Sequence, residues 1–278
     1  MSFPTHDLKI AVFSDLHIVP EGEVSNTLDT TQRLRAGIAH FNAHHGDADL
    51  VILAGDLADL AEPAAYDRLQ DTIADFAVAP ELVLGNHDDR AVFLSHFGSA
   101  WADENGFVQK VIDIKGHRII LLDSTVPGSH AGRLCQKRLD WLRARLAEAA
   151  DRPVIVVLHH HVVPLHTAVD DIILAEPEAL VDVLRGHRDL RQVISGHVHF
   201  NSVCHWKGIS FTTIAGSHYS VTPALKGSGI ETLKLDGPAQ YGLVLSGKDT
   251  TVVHFEDYLT RAALIAPENF GRQRAERR

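Results

Sequence analysis

The stretch Lys9-Ile10-Ala11-Val12-Phe13-Ser14-Asp15-Leu16-His17 sets a pattern that the rest of the chain repeats. Residues 9–13 are mostly apolar and too few for a helix, so they read as a buried strand, and that strand runs directly into a carboxylate and an imidazole. Residues 50–53 lead in the same way into Ala54-Gly55-Asp56-Leu57-Ala58-Asp59, and 82–84 into Gly85-Asn86-His87-Asp88-Asp89. Residues 154–158 lead into His159-His160-His161, and 192–194 into Ser195-Gly196-His197-Val198-His199. A further apolar run covers 118–122. Helical stripes lie between several of the runs, at Leu34, Ile38 and Phe41, at Leu69, Ile73 and Phe76, and at Leu139, Leu142 and Leu146. Asp29 or Thr30 stands as an N-cap before the first stripe and Gly46 follows it, while Pro63 and Pro177 open helices and Pro153 precedes a strand.

Alternating strand and helix predicts an α/β sandwich. After Phe200 the pattern turns to β-like pieces at 209–214, 241–245 and 251–255, joined by turn-rich sequence over 226–237, and these complete the sheets. The reading is a single domain over 1–260 followed by a mobile tail over 261–278, which ends in the arginine-rich 272–278. The glycines of 226–237 mark either a loop that sets specificity or an ordinary surface turn.

Composition narrows the function. With 278 residues, 45% hydrophobic and 22% charged, the chain is that of a folded globular protein. Lys plus Arg number 26 against 36 Asp plus Glu, a net charge of −10, which argues against long nucleic acid as a partner. Cys135 and Cys204 are too few for a disulfide framework. No signal-peptide pattern opens the chain and no apolar run approaches the ~20 residues of a membrane span, so the expectation is a cytoplasmic protein with no membrane partner. Whether copies associate into a homo-oligomer is left open. The 19 histidines are the unusual feature, because imidazole is the commonest metal ligand.

In open α/β sheets the carboxyl ends of the strands border the ligand crevice, so five strand exits spread from position 15 to 199 can meet in space. In Asp15-Leu16-His17 and His197-Val198-His199 the polar residues are two apart, and an extended backbone would point both side chains the same way. Carboxylate, amide and imidazole donors suit Mn, Fe, Zn, Co or Mg, and the absence of thiolates from these loops favours an open catalytic site over a structural zinc knot. Gly55, Gly85 and Gly196 allow the backbone to come close. Each residue alone has an ordinary reading as a cap, a turn former or a satisfied polar group. Five such readings in succession do not explain the order.

With these residues in place the chain resembles the calcineurin-like metallophosphoesterases, whose pattern is Asp-x-His, Gly-Asp, Gly-Asn-His-Asp/Glu, a later His and Gly-His-x-His. Asp15 and His17, Gly55-Asp56, Gly85-Asn86-His87-Asp88, His159 and Gly196-His197-Val198-His199 match it, across about residues 8–256. Within the superfamily it is most similar to class III cyclic nucleotide phosphodiesterases and glycerophosphodiesterase-like enzymes. The resemblance implies a four-layer α/β/β/α sandwich of two mixed β-sheets flanked by helices. It implies two divalent or mixed-valence ions (Mn, Fe, Zn or Co), one held by Asp15, His17, Asp56 and His199 and the other by Asp56, Asn86, His159 and His197, with Asp56 as bridge. Asn86 and His87 would meet the substrate phosphate, His87 assisting the leaving oxygen. Asp59 would orient His87, with an N-cap role equally open to it, and His218 in Gly216-Ser217-His218-Tyr219 would contact substrate. One departure bears on the ligand set. Relatives read His-His-Pro-Pro after the fourth strand, whereas here the run is His159-His160-His161-Val162-Val163-Pro164, so His161 competes with His159. His40, His44 and His45 sit on or beside a solvated helix, and His96, His117, His187 and His254 lack ligand spacing.

The implied activity is metal-dependent hydrolysis of small phosphodiesters, cyclic nucleotides or glycerophosphodiesters. Phosphomonoesterase or nuclease chemistry and a metal-stabilised non-catalytic binding protein are the alternatives. A nuclease calls for a basic groove, which the sequence does not display, and intact Asp56 and His87 argue against lost catalysis.

Overall fold

The computed structural model describes residues 6–260; the tail expected over 261–278 lies outside them. Two sheets carry the fold. The first contains β1 (Leu8–Phe13), β2 (Leu50–Ala54), β3 (Pro80–Val83), β12 (Ala239–Ser246) and β13 (Thr251–Leu259), in the order β13-β12-β1-β2-β3. The second contains β4 (Lys110–Ile114), β5 (His117–Leu122), β6 (Val154–Leu158), β7 (Leu190–Ser195), β8 (Ser202–Trp206) and β9 (Ile209–Thr213), in the order β4-β5-β6-β7-β9-β8. A short ladder joins β10 (Ser220–Val221) to β11 (Lys234–Leu235), so the 226–237 segment is mostly irregular and exposed, with one brief pairing.

Side-chain alternation along the strands builds the layers. Ile10 and Val12 of β1 join Ile119 and Leu121 of β5 and Ile155 and Val157 of β6 in a core between the sheets. Their neighbours Ala11 and Phe13 face α1 (Thr30–His45), α2 (Pro63–Ile73) and α3 (Arg90–Phe97). Ile120, Leu122, Val154 and Val156 face α4 (Gln136–Glu148) and α5 (Pro177–Leu184). The result is the expected four-layer sandwich. Period-2 burial on both faces explains why these strands are apolar throughout, each buried aliphatic side chain contributing roughly 1.5–3 kcal/mol.

Asp29 caps α1 by accepting from Gln32 N at 3.0 Å, which decides between the two cap candidates. Two edge strands and a short helix escape the sequence reading, as does the small β10–β11 ladder. The edge strands β4 and β8 are only partly buried, so they carry no continuous apolar run. The helix α3 has eight residues and rests on an Asp89 cap that accepts from Ala91 N and Val92 N. The third strand begins at Pro80, two residues before its apolar run, as an edge strand permits. β1, β2 and β3 run parallel, as do β5, β6, β7 and β9. The exits of β1, β2, β3, β6 and β7 therefore supply the five polar loops that meet at one end of the sandwich.

Candidate metal centre

Asp15, His17, Asp56, His159, His197 and His199 are all buried, and they converge. The Asp56 carboxylate sits in the middle: one oxygen lies 3.5 Å from His17 Nε2 and 3.3 Å from His159 Nε2, while the other accepts the His87 backbone N–H at 2.9 Å. Asp15 accepts the His197 N–H on both oxygens at 3.1 Å and stands 3.4 Å from His199 Nε2. His159 Nε2 is 3.2 Å from Asn86 Oδ1 and 3.2 Å from His197 Nδ1.

The backbone achieves this convergence by a route the sequence reading did not contain. An extended chain was expected to aim Asp15 with His17 and His197 with His199. Instead Asp15 (φ 53°), His17 (φ 47°), Asp56 (φ 49°), His197 (φ 75°) and His199 (φ 56°) all adopt positive φ. Such left-handed conformations cost a non-glycine residue roughly 1–2 kcal/mol each and cluster at functional sites. Glycine is required beside them: a Cβ on Gly196 would strike the Asp15 carboxylate and Ser14, and one on Gly85 would strike Asp56.

Hydrogen bonds on the outer side of each ring fix its tautomer. His159 Nδ1 meets the Ala54 carbonyl at 2.9 Å, His197 Nε2 the Ile172 carbonyl at 3.0 Å, His199 Nδ1 the Tyr219 carbonyl at 2.8 Å and His17 Nδ1 the Asp59 carboxylate at 2.9 Å. A carbonyl or ionised carboxylate can only accept, so each ring donates outward and turns a lone pair inward. The inward face is then a cage of acceptors opposing acceptors, and a buried cage of that kind calls for a cation. His17 Nε2 has no hydrogen-bond partner at all. A single proton on His159 could relieve only part of this. These side chains thus fit divalent cations, and several overlapping trios have ligand atoms within 4.8 Å of one another, among them Asp15, His17 and Asp56, and Asp56, His159 and His197.

The electrostatics agree. Burial opposes a proton on His159, yet the Asp56 carboxylate outweighs burial and raises that imidazole to about 9. His17 is also raised, burial again opposed by Asp59, Asp56 and Asp15. Burial and the neighbouring imidazoles lower His197, and burial lowers His199 against the pull of Asp15, so both rings stay neutral and available as ligands.

Of the competing histidines after β6, His159 is the one among Asp56, Asn86 and His197. His161 lies behind His197, ring centroids 5.6 Å apart, with Nε2 3.5 Å from Asp170. His160 pairs through Nδ1 with Ser124 Oγ at 2.7 Å, its ring centroid 4.8 Å from that of His197 and 5.2 Å from that of His159. Asp59 meets His87 Nδ1 through its backbone carbonyl, at 2.6 Å, rather than through its side chain. Its carboxylate orients His17. Asp59 is no N-cap either, since Glu62 precedes α2. His218 is 1% exposed, its Nε2 3.2 Å from the Ser25 carbonyl and its Nδ1 unpartnered. His40 rests against the Tyr241 hydroxyl at 3.0 Å, His117 on Ser246 Oγ at 3.0 Å and His187 on the Ala149 carbonyl at 2.9 Å, all away from the cage.

Two residues went unread. His130, on the exposed loop after β5, accepts from Asn86 Nδ2 at 3.2 Å and so turns the amide oxygen toward His159. Nothing in its sequence context signals this. Asp88, quoted only as part of the motif, ties two loops together by accepting from Leu57 N, Ala58 N, Gly85 N and Tyr66 Oη. Burial, followed by the Asp56 charge, raises its carboxyl to about 6.

Two packed mixed sheets whose parallel-strand exits gather carboxylates, an amide and imidazoles define a metallophosphoesterase fold and site. Residues 8–201 match the calcineurin-like phosphoesterase family, and the chain belongs to it. It is 34% identical over 256 residues to a cAMP/cGMP dual specificity phosphodiesterase of Mycobacterium tuberculosis, covering 90% of this chain and 79% of that one. It is 31% identical over 218 residues to a protein of Arcobacter nitrofigilis named as a probable glycerophosphodiester phosphodiesterase, covering 77% and 80%. Among solved structures, a dimetal phosphatase from Danio rerio superposes with a TM-score of 0.71 at 17% identity, over 91% of this chain and 97% of that one, a likeness of fold. No helix among the described residues is long and apolar enough to cross a membrane.

Proposed function

We propose that this chain is a metal-dependent phosphodiesterase acting on small diesters, cyclic nucleotides foremost and glycerophosphodiesters second. The observation that carries this reading is the buried cage of inward-facing lone pairs and carboxylates at five strand ends. Asp15, His17, Asp56 and His199 would hold one cation, and Asp56, Asn86, His159 and His197 the other, with Asp56 shared. Cations bound there would neutralise phosphate oxygens and lower the pKa of a water for attack on phosphorus. Two divalent ions bring +4 against the −2 of Asp15 and Asp56, so the local field attracts an anion despite the overall −10.

The chain's own groups do the rest. His130 holds the Asn86 amide with its oxygen inward. His87 carries its proton on Nδ1, against the Asp59 carbonyl, which leaves Nε2 to take a second proton and deliver it to the departing alkoxide. Its ring lies 4.6 Å from that of His17, beside the cage, and it is half-buried rather than sealed in. Asp59 fixes both rings, one through its carboxylate and one through its carbonyl.

The test is a substrate panel on metal-stripped protein with Mn, Fe, Zn or Co added back: 3′,5′-cyclic nucleotides, a glycerophosphodiester, a chromogenic diester, a monoester and DNA. Metal-dependent turnover of the small diesters, with DNA spared, is the expected result. Metal uptake without turnover of any ester would favour the non-catalytic binding protein.

A further inference from the structure

We infer that His218 is a further protein ligand of the first cation, alongside Asp15, His17, Asp56 and His199, rather than a substrate contact; this rests on the metal-centre reading above. Three rings meet here. His17 and His218 have centroids 4.6 Å apart, and His199 lies 5.2 Å from His17 and 6.1 Å from His218. One ligand nitrogen from each of the three lies within 4.8 Å of the others.

Each ring has its other nitrogen committed to a group that can only accept: His17 Nδ1 to the Asp59 carboxylate, His199 Nδ1 to the Tyr219 carbonyl and His218 Nε2 to the Ser25 carbonyl at 3.2 Å. The proton of each neutral ring is fixed there, so His17 Nε2, His199 Nε2 and His218 Nδ1 present lone pairs. His17 Nε2 and His218 Nδ1 are both buried without a hydrogen-bond partner. Burying two acceptors side by side is costly unless something positive binds them. Substrate is a poor candidate for that partner, because the ring is 1% exposed.

The loop that carries His218 is built to hold it in place. Arg33 of α1 donates through Nε to the Ser217 carbonyl at 3.0 Å and through Nη2 to the His218 carbonyl at 2.6 Å. A third imidazole on the first cation would occupy a coordination position otherwise open to substrate or water.

The experiment uses stripped full-length protein titrated with Co(II), wild type against His218→Gln, read by metal affinity and by the paramagnetically shifted, exchangeable imidazole N–H signals. Every inferred histidine ligand keeps its outer N–H in a hydrogen bond, so each coordinated ring gives one signal. The wild type is expected to show signals from His17, His159, His197, His199 and His218. The variant is expected to lose one signal and to bind one of its ions about 10–100-fold more weakly, with the metal-free melting temperature as the control for folding. Wild-type spectra lacking a His218 signal overturn the inference while leaving the metal centre intact, and they need no variant. A variant with unchanged affinity and a raised KM also overturns it, assigning His218 to substrate. Absence of any bound metal in the wild type would overturn the metal-centre reading itself.

Discussion

Asp56 and Asp123 are both buried aspartates just beyond the ends of parallel strands, β2 and β5, and they have opposite surroundings. Asp123 is saturated with donors. Arg90 reaches its two oxygens from Nε at 2.6 Å and Nη2 at 2.9 Å, and Val108 N, Thr125 N and Thr125 Oγ1 complete the set. Asp56 receives one backbone N–H and otherwise faces His17 and His159 at 3.5 and 3.3 Å. A buried carboxylate matched by fixed donors serves the fold, whereas one surrounded by other acceptors calls for positive charge.

Substitution can break that contrast. Asp56→Ala should abolish metal binding and cut diester turnover by more than about 10⁴-fold, past the upper end of what one acid–base group supplies. In the metal-free protein it removes the partner of one backbone N–H and of the His159 imidazolium, fewer donors than surround Asp123, so its melting curve should fall by less than a substitution at Asp123 would cause. Retained metal stoichiometry would remove Asp56 from the bridge. His87→Ala should keep both ions and lose about 10²–10⁴-fold in kcat, most severely for diesters with poor leaving groups; undiminished turnover of such a diester would exclude the acid role.

Asp123→Ala should do the reverse of Asp56→Ala. It strands Arg90 and Arg138 in a buried cluster and should destabilise the fold by about 3–5 kcal/mol, measured by denaturant unfolding, with metal stoichiometry per folded molecule unchanged. The smallest effect sharpens the comparison by pH. His159 is raised to about 9 by Asp56, so a metal ion must displace that proton. Apparent affinity should therefore climb by about tenfold per pH unit from about pH 7 toward 9 and then level. In the metal-free protein the sign is opposite. The stability conferred by the proton on His159 is present below the ordinary imidazole value of 6.5 and lost as pH rises through about 9. A flat affinity profile over that range would disconnect His159 from the ion.

Much of the centre was legible because the motifs preserve residue type and strand position together. The exits of β1, β2, β3, β6 and β7 carry their candidate ligands in the first residues after each strand, where periodicity is easiest to read. The aim of Asp59 was not legible. Carboxylate and carbonyl of the same residue serve different rings, and only their placement distinguishes His17 from His87. His130 was missed because its contact with Asn86 spans 44 positions and sits on an exposed loop with no periodicity. The partly buried edge strands β4 and β8 and the short α3 were missed because partial burial or short length erases the apolar signal.

The sequence by itself determined the layered α/β architecture and the chemical identity of the donors, since both depend on local alternation and on which residues follow each strand. Tertiary structure alone decided which acceptors oppose one another. It placed carbonyls of Ala54, Ile172, Tyr219 and Ser25 behind the rings and arginines around Asp123 rather than Asp56. The physical reason is that a proton's position on an imidazole, or a carboxylate's need for a cation, is set by neighbours within about 3 Å, and those neighbours come from distant parts of the chain.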